Sequence, residues 1–377
     1  MASQIEVNVA GQEPETSPSK DQAKDQAKDQ AKGQAKAKAK DQAKGRAKSS
    51  IRSLRRAVRV SVFLTIAAGF IAVILFIWVE TILARPSQQT IDITLEIKRG
   101  DGRHVISQRL NQIGIIHHPF VYQIEEWRRG NTYNPRAGEY IFPKGVNLAE
   151  AMDIIHNGKA VQHSITIAEG LSAAQVVDLI RADPRLDGEL SAIPDEGSLL
   201  PETYFFLRHA DRNALIKRMQ ASREIQFAEI WAERHDDHVL TTIQDAVILA
   251  SIVEKETGRA GERALVASVF LNRLKKGMRL QSDPTVIYGL EQAGVEVDQL
   301  HKQLKHDSAW NTYVIKGLPQ TPIANPGLAS FRAVVHPAIS DYYFFVSDGK
   351  GGHRFAKTYE GHKANIALWK NSKTNQQ

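Results

Sequence analysis

The chain has no cysteine. That removes disulfide frameworks, thiolate metal sites, cysteine nucleophiles and a lipidated cysteine anchor together. It leaves the compartment open, because a cysteine-free domain folds in reducing and oxidising surroundings alike. No P-loop or dinucleotide glycine pattern occurs, and no G-x-S-x-G elbow, which disfavours nucleotide-binding folds of those types and the α/β-hydrolase arrangement. Beyond residue 59 there is no excess of either charge, with 35 Lys/Arg facing 35 Asp/Glu. The formal net charge of +7 therefore belongs to residues 1–59, which hold 14 basic and 7 acidic side chains. A neutral body argues against a duplex-binding surface, and no nucleic-acid partner is expected.

What the chain does contain begins with a DQAK repeat from Asp21 to Lys48, free of apolar residues larger than alanine. Such a segment cannot bury enough surface to offset its ordering entropy, so residues 1–59 are expected to be a basic, low-complexity tail, disordered or transiently helical. Val60 to Val79 is different: VSVFLTIAAGFIAVILFIWV carries no charge. As a helix it spans about 30 Å, the thickness of a bilayer core. Arg52, Arg55, Arg56 and Arg59 crowd its near side, and Trp78 marks the far interface. The positive-inside rule then puts the N-terminus in the cytoplasm and the remainder outside. The apolar run is too long, and its preamble far too long, for a cleaved signal peptide.

Past the span, short strands alternate with short helices. IDITLEI (91–97), AGEYIFP (137–143) and HSITIAEG (163–170) read as strands. Helical spacing covers Val105 to Gly114, Phe120 to Arg129, Asn147 to His156 and Ser172 to Arg181. Longer helices follow from Asn213 to Arg234, Ile243 to Thr257, and past Gly261 to Lys276. From Met278 onward the chain is rich in Pro, Gly and Asn and reads as loops that line a site. The expected class is α+β, with small mixed units rather than a long parallel sheet.

One residue in these helices looks chemical. On a wheel at about 100° per residue, Ala246, Ile252, Val253 and Glu256 lie within roughly 60° of Leu249. Glu254 and Lys255 project away from that stripe. A carboxylate that continues a buried face is costly unless protonated, paired or at a cleft mouth. Burial raises its pKa toward the range a general acid needs near neutrality. The wheel alone leaves open that Glu256 is solvated at a helix end or pairs with Arg259 or Arg263.

The motifs SIVEKETG (251–258), ERALVASVFLNRLKKGMRLQSDPTVIYGL (262–290), WNTYVIKGLPQTPIANPG (310–327), AVVHPA (333–338), YYFFVSDGKGGHRFAKT (342–358) and LLPETYFFL (199–207) together resemble the YceG-like endolytic lytic transglycosylases. AGEYIFPKGVNLAEAMDIIHNGK (137–159) and ITIAEGLSAAQVVDLI (165–180) extend the resemblance through the N-terminal half. The long DQAK tail stands apart from the family pattern. The resemblance implies a LysM-like module over residues 90–162, a YceG-like catalytic domain over 163–377, and a plasma-membrane location with the catalytic domain extracytoplasmic. It implies cleavage of the β-1,4 bond between N-acetylmuramic acid and N-acetylglucosamine, with one glutamate serving as acid and then base and the muramic 6-hydroxyl as nucleophile. By position that glutamate is Glu256, which agrees with the wheel. Sugar contacts are expected among Gln281, Asp283, Asn311, Tyr313 and His353, with Glu254 a structural or supporting group. Each of these has a plainer alternative: Asp283 before Pro284 can simply shape a turn, and Tyr313 can be core.

No cofactor or metal is expected. His235-Asp236-Asp237-His238 has ligand-type residues, yet no third clustered ligand accompanies it and the stretch reads as a polar helix end. Glycan strands are the expected partner, and the resemblance together with membrane tethering adds peptidoglycan synthases. The alternatives are a hydrolytic muramidase pairing Glu256 with a second acid such as Asp283, and a non-catalytic membrane-tethered glycan-binding scaffold.

Overall fold

A computed structural model describes residues 20–374. The first 19 residues of the expected tail and the last three of the chain lie outside the described residues. The chain divides into two units, Met1–Arg85 and Pro86–Gln377.

The first unit holds one helix, α1, Lys20–Ala84. The tail and the apolar span, expected as separate objects, are thus one helical element from Lys20 onward. Alanine, glutamine and lysine are strong helix formers, and the segment has no proline to interrupt the ladder. Leu54–Ala84 within it is long and apolar enough to cross a membrane. Its large apolar side chains, Phe63, Phe70 and Phe76 among them, stand exposed. The hydroxyls of Thr65 and Thr81 donate back to the carbonyls of Ser61 and Ile77 at 2.9 and 2.7 Å. Such back-bonding keeps a polar group satisfied without water.

The second unit is a mixed structure of helices and two-stranded sheets. It opens with β1 (Ile93–Ile97), α2 (Arg103–Gln112), α3 (Pro119–Arg129), β2 (Gly138–Phe142) and α4 (Leu148–Asn157). β1 and β2 pair antiparallel, Leu95 opposite Tyr140. Asn147 caps α4 through a full capping box with Glu150, so the cap read from sequence forms. Next come β3 (Gln162–Thr166), α5 (Ala173–Ala182), β4 (Leu186–Asp187), β5 (Thr203–Leu207) and β6 (Ala210–Asp211). β3 pairs antiparallel with β5, and the two-residue β4 pairs parallel with β6. Ser172 caps α5 in the same reciprocal way with Gln175. The buried side chains of Val176, Ile180, Tyr204, Phe206 and Met219 form the core of this part.

The larger core lies among α6 (Arg212–Ala232), α7 (Ile243–Glu256) and α8 (Arg263–Lys275). The segment expected as loops also contains α9 (Asp283–Gln292), α10 (Leu300–Gln303), α11 (Leu328–Val335), a hairpin of β7 (Phe344–Ser347) and β8 (His353–Ala356), and α12 (Tyr359–Thr374). Asp283-Pro284 opens α9, where proline in the first turn gives up no intrahelical bond. Phe227 of α6 stacks on Phe331 of α11 with ring centroids 4.0 Å apart. Leu249, Ile252 and Val253 of α7 are fully buried between them and α8. Burying side chains of this size stabilises by about 1.5–3 kcal/mol each, which makes α7 the rigid axis on which its last residue is presented.

Two polar stitches join the β3–α5 region to this core. Asn325, fully buried, accepts from the Leu199 N–H at 3.0 Å and donates to the Leu171 carbonyl at 3.0 Å. The carboxylate of Glu196 accepts from the Ala173 N–H at 2.9 Å and from the Tyr288 hydroxyl at 3.3 Å, and burial pushes its pKa up.

Candidate active site

Glu256 is the last residue of α7, one turn beyond the buried stripe of Leu249, Ile252 and Val253. The apolar face that carries the helix into the core therefore delivers this carboxyl to the core's edge. It is partly open to solvent, while the surrounding protein desolvates it. Its Oε1 accepts a hydrogen bond from the Ser282 hydroxyl at 2.5 Å. Burial is the largest influence on its pKa; the Ser282 bond and the Arg273 charge oppose it, and the Asp283 charge adds to it, leaving the group at about 7.

Ser282 is held in place by a small buried network. Its N–H donates to Thr312 Oγ1 at 2.9 Å, and the Thr285 hydroxyl donates to its carbonyl at 2.6 Å. Thr285 and Thr312 share a further bond of 2.8 Å. Gln281, just before, takes a positive φ of 49° and is exposed; its N–H donates to the Thr312 carbonyl. Asp283 follows on the rim and accepts from the Tyr313 hydroxyl at 2.6 Å. Burial, the Asp283 bond and the charges of Asp283 and Glu256 all push the Tyr313 hydroxyl above its ordinary range. Gln281, Asp283 and Tyr313 are thus brought together beside Glu256.

Arg273 supplies the cation in this electrostatic group. It is almost fully buried in α8, donating to the carbonyls of Tyr343 (2.6 Å) and Leu280 (2.5 Å), and burial holds its pKa below the ordinary value. Sequence reasoning passed over both Arg273 and Ser282. Arg273 had a readable signal: it continues the Val266–Phe270 stripe of α8 at helical spacing, as Glu256 does on α7.

The remaining expected residues lie in other settings. Asn311 is fully buried. Its Nδ2 donates to the carbonyls of Leu304 (3.1 Å) and His306 (2.6 Å), and its Oδ1 accepts from the Tyr313 N–H. Its amide shapes the loop that carries Tyr313 and has no surface left for a sugar. His353 sits on β8, its Nδ1 2.8 Å from Glu262 Oε2, so it belongs to a second cluster with Glu262 and Arg259. Glu254 accepts from the Gly327 N–H at 2.9 Å and lies 3.5 Å from Arg263, which also faces Glu169 at 3.4 Å. The two arginines that could have paired with Glu256 are therefore engaged by other carboxylates. A Cβ at Gly327 would meet the Glu169 carboxylate, so that exposed side chain would have to swing aside to admit one. His238 uses both ring nitrogens, facing the Val334 carbonyl at 2.9 Å and accepting from the Leu240 N–H at 3.1 Å. It is a structural histidine.

The chain matches the YceG-like family over residues 95–368. It is 30% identical to the endolytic murein transglycosylase of Bacillus subtilis over 308 residues, covering 72% of this chain and 82% of that protein. A protein of the same name from Streptococcus pneumoniae is 24% identical over 329 residues, and the chain covers 59% of its length. A crystal structure of a YceG-like protein from Listeria monocytogenes aligns at 29% identity over 72% of this chain and 98% of that one, with a TM-score of 0.44. With a buried-stripe glutamate ending α7 and a family match running through nearly all of the second unit, the chain belongs to the YceG-like family.

Proposed function

We propose that this chain is a membrane-anchored endolytic lytic transglycosylase whose general acid and base is Glu256. Protonated Glu256 donates to the oxygen of the β-1,4 bond between N-acetylmuramic acid and N-acetylglucosamine, and that bond breaks. The carboxylate then takes the proton of the muramic 6-hydroxyl as its oxygen bonds to C1. The products are a free N-acetylglucosamine 4-hydroxyl and a 1,6-anhydromuramic end, and the enzyme returns to its protonated form.

The observation that carries this reading is a single desolvated carboxyl with a pKa near 7, hydrogen-bonded by Ser282 at 2.5 Å. Such a group is present in both protonation states at neutral pH. Positioned proton transfer contributes about 10²–10⁴-fold. Because the nucleophile is part of the substrate, its orientation supplies much of the rest, and no second carboxylate is needed to activate water. Asp283, already bonded to Tyr313, serves in this reading to hold Glu256 protonated and to line the rim with Gln281. Residues 90–162 act as a LysM-like glycan-positioning module, and residues 163–377 form the catalytic domain. Leu54–Ala84 anchors the chain with its arginine-flanked end in the cytoplasm, which sets the catalytic domain against newly made strands and their synthases.

Digestion of glycan strands in ¹⁸O-labelled water tests the reaction class. The expected products carry no label and are one water lighter than hydrolytic ends. Labelled reducing ends would establish a hydrolase instead, and glycan binding without cleavage would establish a scaffold.

A further inference from the structure

Among the described residues three besides glycines take a positive φ, and one of them, Gln281 at 49°, adjoins the Ser282 donor of the candidate site. Glutamine gains nothing from this left-handed conformation. Its Cβ crowds the following carbonyl, and its amide lacks the short reach by which asparagine bonds its own backbone there. Strain of this kind persists only where the surroundings over-determine the backbone. Here they do so from both sides. Gln281 and Ser282 both turn their N–H groups to one residue, Thr312, whose carbonyl accepts the first at 3.2 Å and whose Oγ1 accepts the second at 2.9 Å. Neighbouring N–H groups of an extended chain point in opposite directions, so two that meet the same residue need a sharp turn between them. Just before them, the Leu280 carbonyl accepts from Arg273 Nη1 at 2.5 Å.

Arg273 is an unusual residue to bury, and it spends its donors on main-chain carbonyls rather than on a carboxylate. Nε holds the Tyr343 carbonyl at 2.6 Å while Nη1 holds that of Leu280, and the guanidinium carbon stands 5.5 Å from the centroid of the Phe344 ring. Its own carbonyl accepts from the Met278 N–H at 2.9 Å. One residue thus fixes both ends of the 278–280 segment and ties it to the segment that enters β7. A planar fork spans two carbonyls in this way; the ammonium of a lysine is a single point. We infer that Arg273 and the left-handed Gln281 form one clamp that aims the Ser282 hydroxyl at Glu256, which makes Arg273 a positioning residue for the reaction. The inference rests on the reading of Glu256 given above and adds what holds its hydrogen-bond donor. Releasing the clamp lets Ser282 swing away, and the carboxylate loses the donor that favours its charge. An Arg273 that served stability alone would leave the ionisation of Glu256 where it is once its charge is kept.

The pH dependence of kcat, measured with the full chain in detergent micelles acting on glycan strands, tests the clamp. Gln281→Gly and Gln281→Val both lose the amide, so any effect of that side chain on strand binding is common to them. Glycine accepts a positive φ and valine resists it. The Glu256 limb is expected to stay in place with glycine and to rise by about 1–2 units with valine, the shift that loss of a charge-assisted hydrogen bond produces in Ser282→Ala. Arg273→Lys keeps the charge and loses the fork. Its limb is expected to rise too, and to rise no further when Ser282→Ala is added, because two changes that act through one bond are not additive. Equal limbs for the glycine and valine variants overturn the clamp, and this comparison at an exposed position decides the matter alone if Arg273→Lys does not fold. A shift by Arg273→Lys that persists in full beside Ser282→Ala overturns it as well, since Arg273 would then act on Glu256 without Ser282. Glu256→Gln as active as the wild type overturns the reading of Glu256 and the clamp with it; an inactive Glu256→Gln beside unmoved limbs overturns the clamp only.

Discussion

Replacing Glu256 with glutamine is expected to abolish activity and at the same time to stabilise the protein, by an amount that depends on pH. Glutamine mimics the protonated carboxyl in shape and still accepts the Ser282 hydrogen bond. The native carboxyl is raised from 4.5 to about 7, so the folded state holds its proton more tightly than the unfolded state. Below pH 4.5 both states are protonated, and this group costs nothing. As the pH rises from 4.5 through 7 the unfolded chain has already ionised while the folded one resists, and stability falls. Above 7 the penalty is complete, at about 3 kcal/mol for a shift of this size. Glu256→Gln escapes it, so its advantage over the wild type is near zero at pH 4 and about 3 kcal/mol at pH 8. Urea unfolding of residues 86–377, wild type beside variant across that range, reads it directly. Taking the difference cancels groups such as Asp183 and Glu262, whose lowered pKa values move stability the opposite way with pH. An advantage independent of pH, or a glutamine variant less stable at pH 8, would refute the claim that burial dominates this carboxyl.

Three further outcomes follow from the same geometry. Ser282→Ala removes the donor that favours ionised Glu256, a bond worth about 1.5–3 kcal/mol; the Glu256 limb of the pH–rate profile is expected to move up by about 1–2 units, whereas Asp283→Asn moves it down. Glu254→Gln keeps an acceptor for the Gly327 N–H but weakens the hold on Arg263, so urea unfolding should show lower stability while steady-state rates retain much of the wild-type turnover. Asn311→Ala strands buried loop carbonyls and is expected to cost about 2–4 kcal/mol, read as a lowered denaturation midpoint; weakened glycan binding at unchanged stability would contradict the placement of its amide.

Much of the site was legible because burial is periodic. Glu256 announced itself as a carboxylate on an apolar stripe, and the helix that presents it begins at Ile243, as read from the sequence. Arg273 obeyed the same rule and was passed over because the lysines around it make that stretch look like an ordinary basic helix end. Ser282 is a different case. A serine in a turn has no periodic signal, and its role depends on Thr312, thirty residues on, fixing its backbone. Asn311 shows the converse: an amide in a polar loop suits an acetamido group chemically, but which groups it meets is settled by the path of residues 304–306. The helices after Met278 were hidden by proline and glycine, although a proline in the first turn of α9 is a start signal as much as a breaker. In the DQAK segment, burial and propensity point opposite ways. It has nothing to bury, yet its alanine, glutamine and lysine favour the helix that continues into the span.

The most direct test of the central claim is mass spectrometry of peptidoglycan strands incubated with the wild type, Glu256→Gln and Glu254→Gln under one set of conditions. The account predicts 1,6-anhydromuramic ends from the wild type and from Glu254→Gln, and none above background from Glu256→Gln. Anhydro ends from Glu256→Gln at the wild-type rate would contradict it, because the proton would then have to come from another group.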